Sequence, residues 1–408
     1  MHYYVYGARN WIGKYKYVAI SNAVQRRNIN GKYFNVLVDP IVDLLGEDNV
    51  LFIETTTPVP YPISKLHTKK VFPRYPLGVL ADLLGKTTRH KYNIEGEYLL
   101  REINKEYELD IDYRGLIGKF LAEKDIMSVL FQIIKPRAVL FSVYYSNIPA
   151  VKVAKDLGIV VVEFQHGVIG EGHPIYNIAA DIDKSYFPDY ILTFGKQGKK
   201  YFNNSHFINA NNVYPIGNFY IEYIRNNYVP TNEFKKLTYG YNRIVGISLQ
   251  WPIQKRTLRF IYECAYLDKG ILYILIPRLY NNNISGLENM IDAPDNVIAV
   301  TNLNFYEIMM GVDFHATVYS TCALEAPSLG VQNILINIDN ASKQYYEDIL
   351  SDARITRYVH TPKEFVQQVN SFKRLKRDRV IELNKDIIEP NYEYNLRSFI
   401  NQYLDFME

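Results

Sequence analysis

Residues 138–164 constrain the chain more than any other stretch. AVLFSVY at 138–144 is a run of apolar, β-branched and aromatic side chains, as suits a strand covered on both faces. Ser146 or Asn147 can cap a following helix, and Pro149 fits its first turn. Gly158 closes that helix over 150–157. IVVVEF at 159–164 is then a second buried run. A strand–helix–strand unit of this kind pairs its strands in parallel through a right-handed crossover. Open sheets of such units place their chemistry at the carboxyl ends of the strands. The second strand ends in Glu163, Phe164, Gln165, His166 and Gly167, followed by a loop with Gly170, Glu171, Gly172, His173 and Pro174.

At 408 residues the chain exceeds one ordinary core, so two or three domains are expected. Residues 1–32 show no clean period. Strands are expected at 33–38, 49–54, 190–194 and 213–216. Five prolines between 55 and 76 predict a loop. Apolar spacing of three and four predicts helices at 77–84 and over 95–134, the latter broken near Gly115 and Gly118. The polar stretch 228–241, with Pro230, Thr231 and Gly240, reads as a linker. A second α/β set follows, with strands at 243–249 (RIVGISL), 271–276 (ILYILI), 297–300, 314–319 (FHATVY) and 334–338 (ILINI). The tail holds a helix at 362–372, a basic run from Lys373 to Arg379, and a last helix at 394–406. The class is α/β, built from two halves of similar size.

The bulk numbers exclude several functions. A net charge of +3 does not argue for nucleic acid as a partner. The two cysteines, Cys264 and Cys322, make neither a disulfide framework nor a metal spacing and fit a reducing cytosol. No window approaches the roughly 18 apolar residues of a membrane span. The start MHYYVYGARNWIGK lacks the pattern of a signal peptide. A cytoplasmic protein is expected, with peripheral contact at an inner membrane as an open reading. For the basic run, contact with anionic lipid or a lipid-linked acceptor stands beside a solvated helix face.

Several strand ends carry candidate chemistry. His166 can accept a proton near neutral pH, with Glu171 as the reserve base. Gln165 lies near the same place and suits an acceptor, and His173 suits a phosphate or an acceptor sugar. Ser320 and Thr321 end a strand and begin a helix, where free N–H groups and hydroxyls suit phosphate. Glu325, a turn later, can accept from ribose hydroxyls. The plainer alternative, an ordinary helix cap and first-turn acid, stays open, and Pro327 predicts a short or bent helix there. Ser248 and Gln250 follow the first strand of the second half. Arg278 follows the next, and its fork matches phosphate or carboxylate. Metal is not expected, since no third ligand accompanies His166 and His173.

FQHG with its Gly/His loop, and strand-Ser-Thr-xxx-Glu-xxxx-Gly in the second half, resemble bacterial glycosyltransferases of the GT-B fold. The similar groups are the capsule-polysaccharide, sialyl- and Kdo-transferases and the teichoic-acid glycerophosphotransferases. The resemblance covers roughly residues 138–338 and rests on short motifs. It implies two Rossmann-like domains facing each other across a cleft. The boundaries expected are 1–228 for the acceptor domain, 242–390 for the donor domain, and 391–408 for a helix crossing back to the first. It implies a donor site at Ser248, Gln250, Arg278, Ser320, Thr321 and Glu325, with His166 as base and Gln165 and His173 toward the acceptor. The partners implied are a nucleotide-sugar donor, as substrate rather than cofactor, and a glycan or lipid-linked glycan acceptor of the bacterial surface. Transfer would be inverting and metal-independent. Sialyltransferases of this kind carry a His-Pro pair at a place that here reads Pro277-Arg278-Leu279-Tyr280, which weighs against a CMP-linked donor. Alternatives are a non-hydrolysing nucleotide-sugar 2-epimerase, a polyol-phosphate transferase, and a non-catalytic nucleotide- or glycan-binding protein.

Overall fold

A computed structural model describes residues 7, 10, 13–57, 61–88, 92–170, 175–202, 206–277 and 293–404. The chain divides into two compact units. The first comprises Met1–Thr193, Lys199–Tyr214 and Glu393–Glu408, and the second Phe194–Gly198 and Pro215–Tyr392.

The first unit is built on strands β1 (Tyr17–Asn22), β4 (Val50–Thr55), β5 (Val71–Pro73), β6 (Ala138–Phe141), β7 (Val160–Phe164), β8 (Tyr190–Thr193) and β9 (Val213–Pro215), with the hairpin β2 (Arg26–Ile29) and β3 (Lys32–Asn35) set apart. The sheet order is β5-β4-β1-β6-β7-β8-β9, and the pairs from β5 through β8 run parallel. The second unit has β10 (Arg243–Ser248), β11 (Ile271–Ile276), β12 (Val297–Ala299), β13 (Phe314–Ala316), β14 (Gln332–Ile336) and β15 (Thr356–Val359). Its order is β12-β11-β10-β13-β14-β15, parallel throughout. Both sheets thus wind outward from a first strand in two directions. The reversal falls between β1 and β6 in one unit and between β10 and β13 in the other, which is the Rossmann arrangement. All six residues of β11 are buried, as a strand with helices on both faces requires.

The central unit of the sequence reading stands: β6, a helix over Ile148–Asp156, and β7. Gly158, at φ +69°, turns the chain from the helix into the strand. Several expectations need correction. The centre of the first sheet is β1, inside a stretch that shows no period, because YVAISN is buried on both faces and so has no alternation to display. The strand expected at 33–38 is half of the hairpin, turned at Asn30-Gly31, both with positive φ. The proline-rich loop contains β5, which sits at the sheet edge, where proline costs no ladder bond.

Gly115 and Gly118 do not break their helix, which runs from Tyr113 to Ile134. At Gly115 a Cβ would meet the carboxylate of the cap residue Asp112, and near Gly118 a packed helix takes the room. A Cβ on Gly85, in the helix Tyr75–Thr88, would lie 3.0 Å from the Lys119 backbone N and 3.2 Å from Gly118 C. These glycines therefore let two helices approach closely. The stretch read as a linker holds the helix Asn232–Leu237, whose Phe234 is buried against Gly311 in the second unit. Residues 215–228, assigned to the first half on sequence, also cluster with the second unit.

The last helix, Tyr392–Tyr403, belongs to the first unit from Glu393 onward. Phe399 and Tyr403 pack there against Tyr190 and Tyr214, with ring centroids 4.8–5.7 Å apart. The basic run is partly consumed inside the second unit. Arg374 pairs with Asp313 at 2.6 Å. Arg377 donates to the carbonyls of Leu329, Met309, Met310 and Val312 at 2.8–3.2 Å. Among the described residues, no helix is long and apolar enough to cross a membrane.

Gly330 closes the turn that receives Arg377. Its φ is +79°, and a Cβ would meet the Arg377 Cβ at 2.5 Å and its Cα at 2.9 Å. Gly330→Ala is expected to cost more than the roughly 1 kcal/mol of left-handed strain alone. Chemical denaturation should show a lowered midpoint at unchanged m-value; an unchanged midpoint would refute the packing role.

Candidate active site

The first candidate region lies beyond the end of β7. Residue 163 is on the face shared with Val161 and Phe141, amid Tyr144, Tyr176, Phe187, Phe202 and Phe207. Glu163 is fully buried, and burial pushes its carboxyl up to about 8. Its Oε1 accepts from the Tyr144 backbone N at 3.2 Å and from the Tyr176 hydroxyl at 3.0 Å. The Tyr144 hydroxyl donates to Ile175 O at 2.9 Å, and Asn177 Nδ2 to Gly170 O at 2.7 Å. These bonds pin both ends of the Gly/His loop. Gln165 is buried, and its amide donates to Gly167 O at 2.7 Å, so it shapes the turn on which His166 sits.

His166 is half-buried at the carboxyl edge. Its Nδ1 is buried, and its Nε2 lies 3.1 Å from the Tyr145 hydroxyl. Tyr145 thus orients the ring through Nε2. Glu171 and His173 lie outside the described residues.

The second region is the reversal point of the second sheet. Ser248 ends β10, and the hydroxyl of Thr317, just past β13, donates to Ser248 O at 2.9 Å. Gln250 Oε1 accepts from Tyr319 N at 2.9 Å, which joins the two loops across the reversal. Ser320 and Thr321 follow at once. The Ser320 Oγ accepts from Cys322 N at 3.4 Å, and Thr321 is exposed. Among the described residues nothing accepts from the backbone N–H of Ser320 or Thr321. Two donors and a hydroxyl pair thus converge where a doubly wound sheet binds ligands.

The following helix is short, Cys322–Glu325, and passes into a 3-10 turn at Pro327–Leu329, as the proline foretold. Glu325 accepts from the Tyr306 hydroxyl at 3.1 Å. Arg278 lies outside the described residues. Ser248, Gln250, Ser320, Thr321 and Glu325 therefore belong to one edge of the second unit, and Gln165 and His166 to one edge of the first.

No family model matches the sequence, and no curated protein does either. Solved structures are similar in fold over nearly the whole chain. One is a Listeria monocytogenes protein described as a UDP-N-acetylglucosamine 2-epimerase, at TM-score 0.62 and 9% identity, covering 97% of this chain and 98% of that one. The MnaA protein of S. aureus, solved with UDP, has TM-score 0.57 and 13% identity over 96% and 98%. The calicheamicin glycosyltransferase CalG4 has TM-score 0.53 and 13% identity over 96% and 99%. The fold is GT-B.

Within that fold, sequence reasoning passed over Tyr145, Tyr144, Tyr176, His315 and Asn333. His315 left one signal, a polar residue inside the buried run FHATVY. The tyrosines left none, since this chain has 36 of them and only packing singles out these three.

Glu163 gives a stability test. The acid titrates near pH 8 folded and near 4.5 unfolded, so folding favours its protonated form. That contribution is whole below pH 4.5, declines as pH rises, and is gone once pH passes about 8. Glu163→Gln keeps the acceptor oxygen and removes the titration. At about 1.4 kcal/mol per pKa unit, the variant should gain on the order of 4 kcal/mol over wild type between pH 5 and pH 9. Denaturation at both pH values measures it, and equal slopes would refute the assignment.

Proposed function

We propose that the protein is a glycosyltransferase that moves a sugar from a nucleotide-activated donor to a glycan or lipid-linked glycan acceptor of a bacterial surface polymer. The observation that carries this reading is His166, with its buried Nδ1 and its Nε2 held by Tyr145, at the strand edge where Rossmann-like units place reactive groups. In this reading the second unit binds the donor. The Ser320 and Thr321 N–H groups and hydroxyls take the phosphates, and Glu325 with Tyr306 takes the ribose. The first unit binds the acceptor.

The reaction follows from these roles. His166 Nε2 removes the proton of an acceptor hydroxyl, whose oxygen attacks the anomeric carbon. The bond from that carbon to the phosphate oxygen breaks, and the nucleoside diphosphate leaves with the electron pair. Attack opposite the leaving group inverts the centre. Backbone donors that are already oriented stabilise the charge growing on the leaving phosphate. Arg278 and His173 are assigned to phosphate and acceptor by position, with Glu171 as the alternative base.

A 2-epimerase is the second reading, favoured by the neighbour described as a UDP-N-acetylglucosamine 2-epimerase and by the neighbour solved with UDP. It needs no acceptor, so incubation with UDP-N-acetylglucosamine alone, followed by NMR at the sugar C2, separates the two: accumulation of the epimer would replace transfer as the activity.

A thermal-shift panel of UDP-, CDP-, CMP- and GDP-linked sugars identifies the donor. With that donor, His166→Ala is expected to lower kcat by about 10²–10⁴-fold while calorimetry finds nucleotide affinity nearly unchanged. Wild-type turnover in the variant would remove His166 from the mechanism.

A further inference from the structure

Ser248, His315 and Asn333 form a buried hydrogen-bonded chain across β10, β13 and β14. Ser248 Oγ is 2.9 Å from His315 Nε2, and His315 Nδ1 is 2.8 Å from Asn333 Oδ1. Asn333 Nδ2 donates to Ala323 O at 2.7 Å. His315 and Asn333 are wholly buried, and Ser248 keeps 5% of its surface at the strand edge.

The proton positions follow from the fixed end of the chain. Ala323 O is a carbonyl and can only accept, so the Asn333 amide must turn its NH2 toward it. Its oxygen then faces His315, and an oxygen there demands a hydrogen on Nδ1. Ser248 and Asn333 are neutral, and Phe305 packs edge-on to the imidazole at 5.5 Å. Burial pushes His315 down to about 4, so it is neutral at physiological pH. A neutral ring with its hydrogen on Nδ1 has a bare Nε2. The Ser248 hydroxyl must donate its one hydrogen to that nitrogen, which leaves its oxygen only lone pairs. The half-buried Cys322 thiol interacts with the Ser320 and Ser248 hydroxyls and stays protonated, so it brings a donor of its own to the Ser248 oxygen.

Gln250, two residues on, has the opposite polarity. Its Oε1 is taken by Tyr319 N, so its Nε2 is left as a donor. We infer that Ser248 meets the ligand as a hydrogen-bond acceptor and reads a hydroxyl or N–H of the nucleoside, while the N–H of Gln250 beside it takes phosphate. This assignment rests on the nucleotide reading above and changes the part given to Ser248 by position. The diphosphate of a nucleotide sugar, esterified at both ends, carries no hydrogen at neutral pH, and its oxygens are repelled by an oxygen that has only lone pairs to offer. A ribose hydroxyl or a base N–H is not. His315 and Asn333 are then positioning residues, since they set the direction of the Ser248 hydrogen without touching the ligand.

The test pairs two ligands with two variants in calorimetry, using UDP (or whichever of UDP, CDP, CMP and GDP wild type binds) and inorganic pyrophosphate. Ser248→Ala is expected to weaken the nucleotide about tenfold and leave pyrophosphate unchanged, whereas Gln250→Ala weakens both. Equal weakening of both ligands by Ser248→Ala, or weakening of neither, overturns the inference and leaves the nucleotide reading standing. If wild type binds none of the four nucleotides, the nucleotide reading fails and this assignment fails with it. A second measurement does not depend on the variants folding well. Long-range ¹H–¹⁵N spectra of wild type, with the ring identified by its loss in His315→Gln, should show hydrogen on Nδ1 and none on Nε2. Hydrogen on Nε2 overturns the inference.

Discussion

A parallel strand covered on both faces offers solvent only its ends, and both units of this protein are built on that constraint. The flanks of β6, β7, β10, β11 and β13 are spent on burial, so polar side chains that serve a ligand must stand where each strand stops. The amino ends are occupied with returning helices. The carboxyl ends are left for His166 in the first unit and for Ser248, Gln250, Ser320 and Thr321 in the second. The reversal of strand order then decides which of those ends adjoin open space, because at that point the following connections depart to opposite faces.

Polar groups drawn below these edges are held by bonds that leave them little freedom. Glu163 sits among aromatic rings and ties Tyr144 to Tyr176. The Asn333–His315–Ser248 chain ends on the carbonyl of Ala323, within the helix that follows Ser320 and Thr321. The Asn333–His315–Ser248 chain is a satisfied network in low-dielectric surroundings, where an unpaired member would be costly, whereas Glu163 leaves its Oε2 without a partner among the described residues. Each holds the candidate residues at the strand ends in place. The glycines act in the same way at larger scale. Gly330 admits the Arg377 backbone and Gly85 the neighbouring helix, so that side-chain volume is absent where elements must touch.

Legibility in the sequence followed the physics of each element. The unit from β6 to β7 was plain, because caps, a closing glycine and two apolar runs agree. The β1 strand was hidden, because full burial erases alternation and Tyr and Lys crowd its approach. The helix Asn232–Leu237 passed for linker, because only tertiary packing shows that Phe234 is core. Gly118 read as a breaker, since propensity knows nothing of a neighbouring helix that needs the room, and Gly115 did too, although it lies against the Asp112 cap that starts the helix. Among the candidate residues, His166 and Ser320–Thr321 could be singled out from a strand followed by polar residues and glycine. Tyr145 could not, because its place beside His166 depends on two strands lying side by side.

The sequence by itself determined the α/β class, the two halves, the candidate strand ends and the short helix at Pro327. Those are local properties, written in apolar runs and in the stereochemistry of glycine and proline. Tertiary structure alone decided the strand order, the assignment of residues 215–237 to the second unit, and the direction of each buried hydrogen bond. Such features depend on which distant segments meet. The polarity of Ser248 is the sharpest case: in the sequence it is a hydroxyl that can donate or accept, and only Asn333 and Ala323, both more than 70 residues away, remove one of those choices.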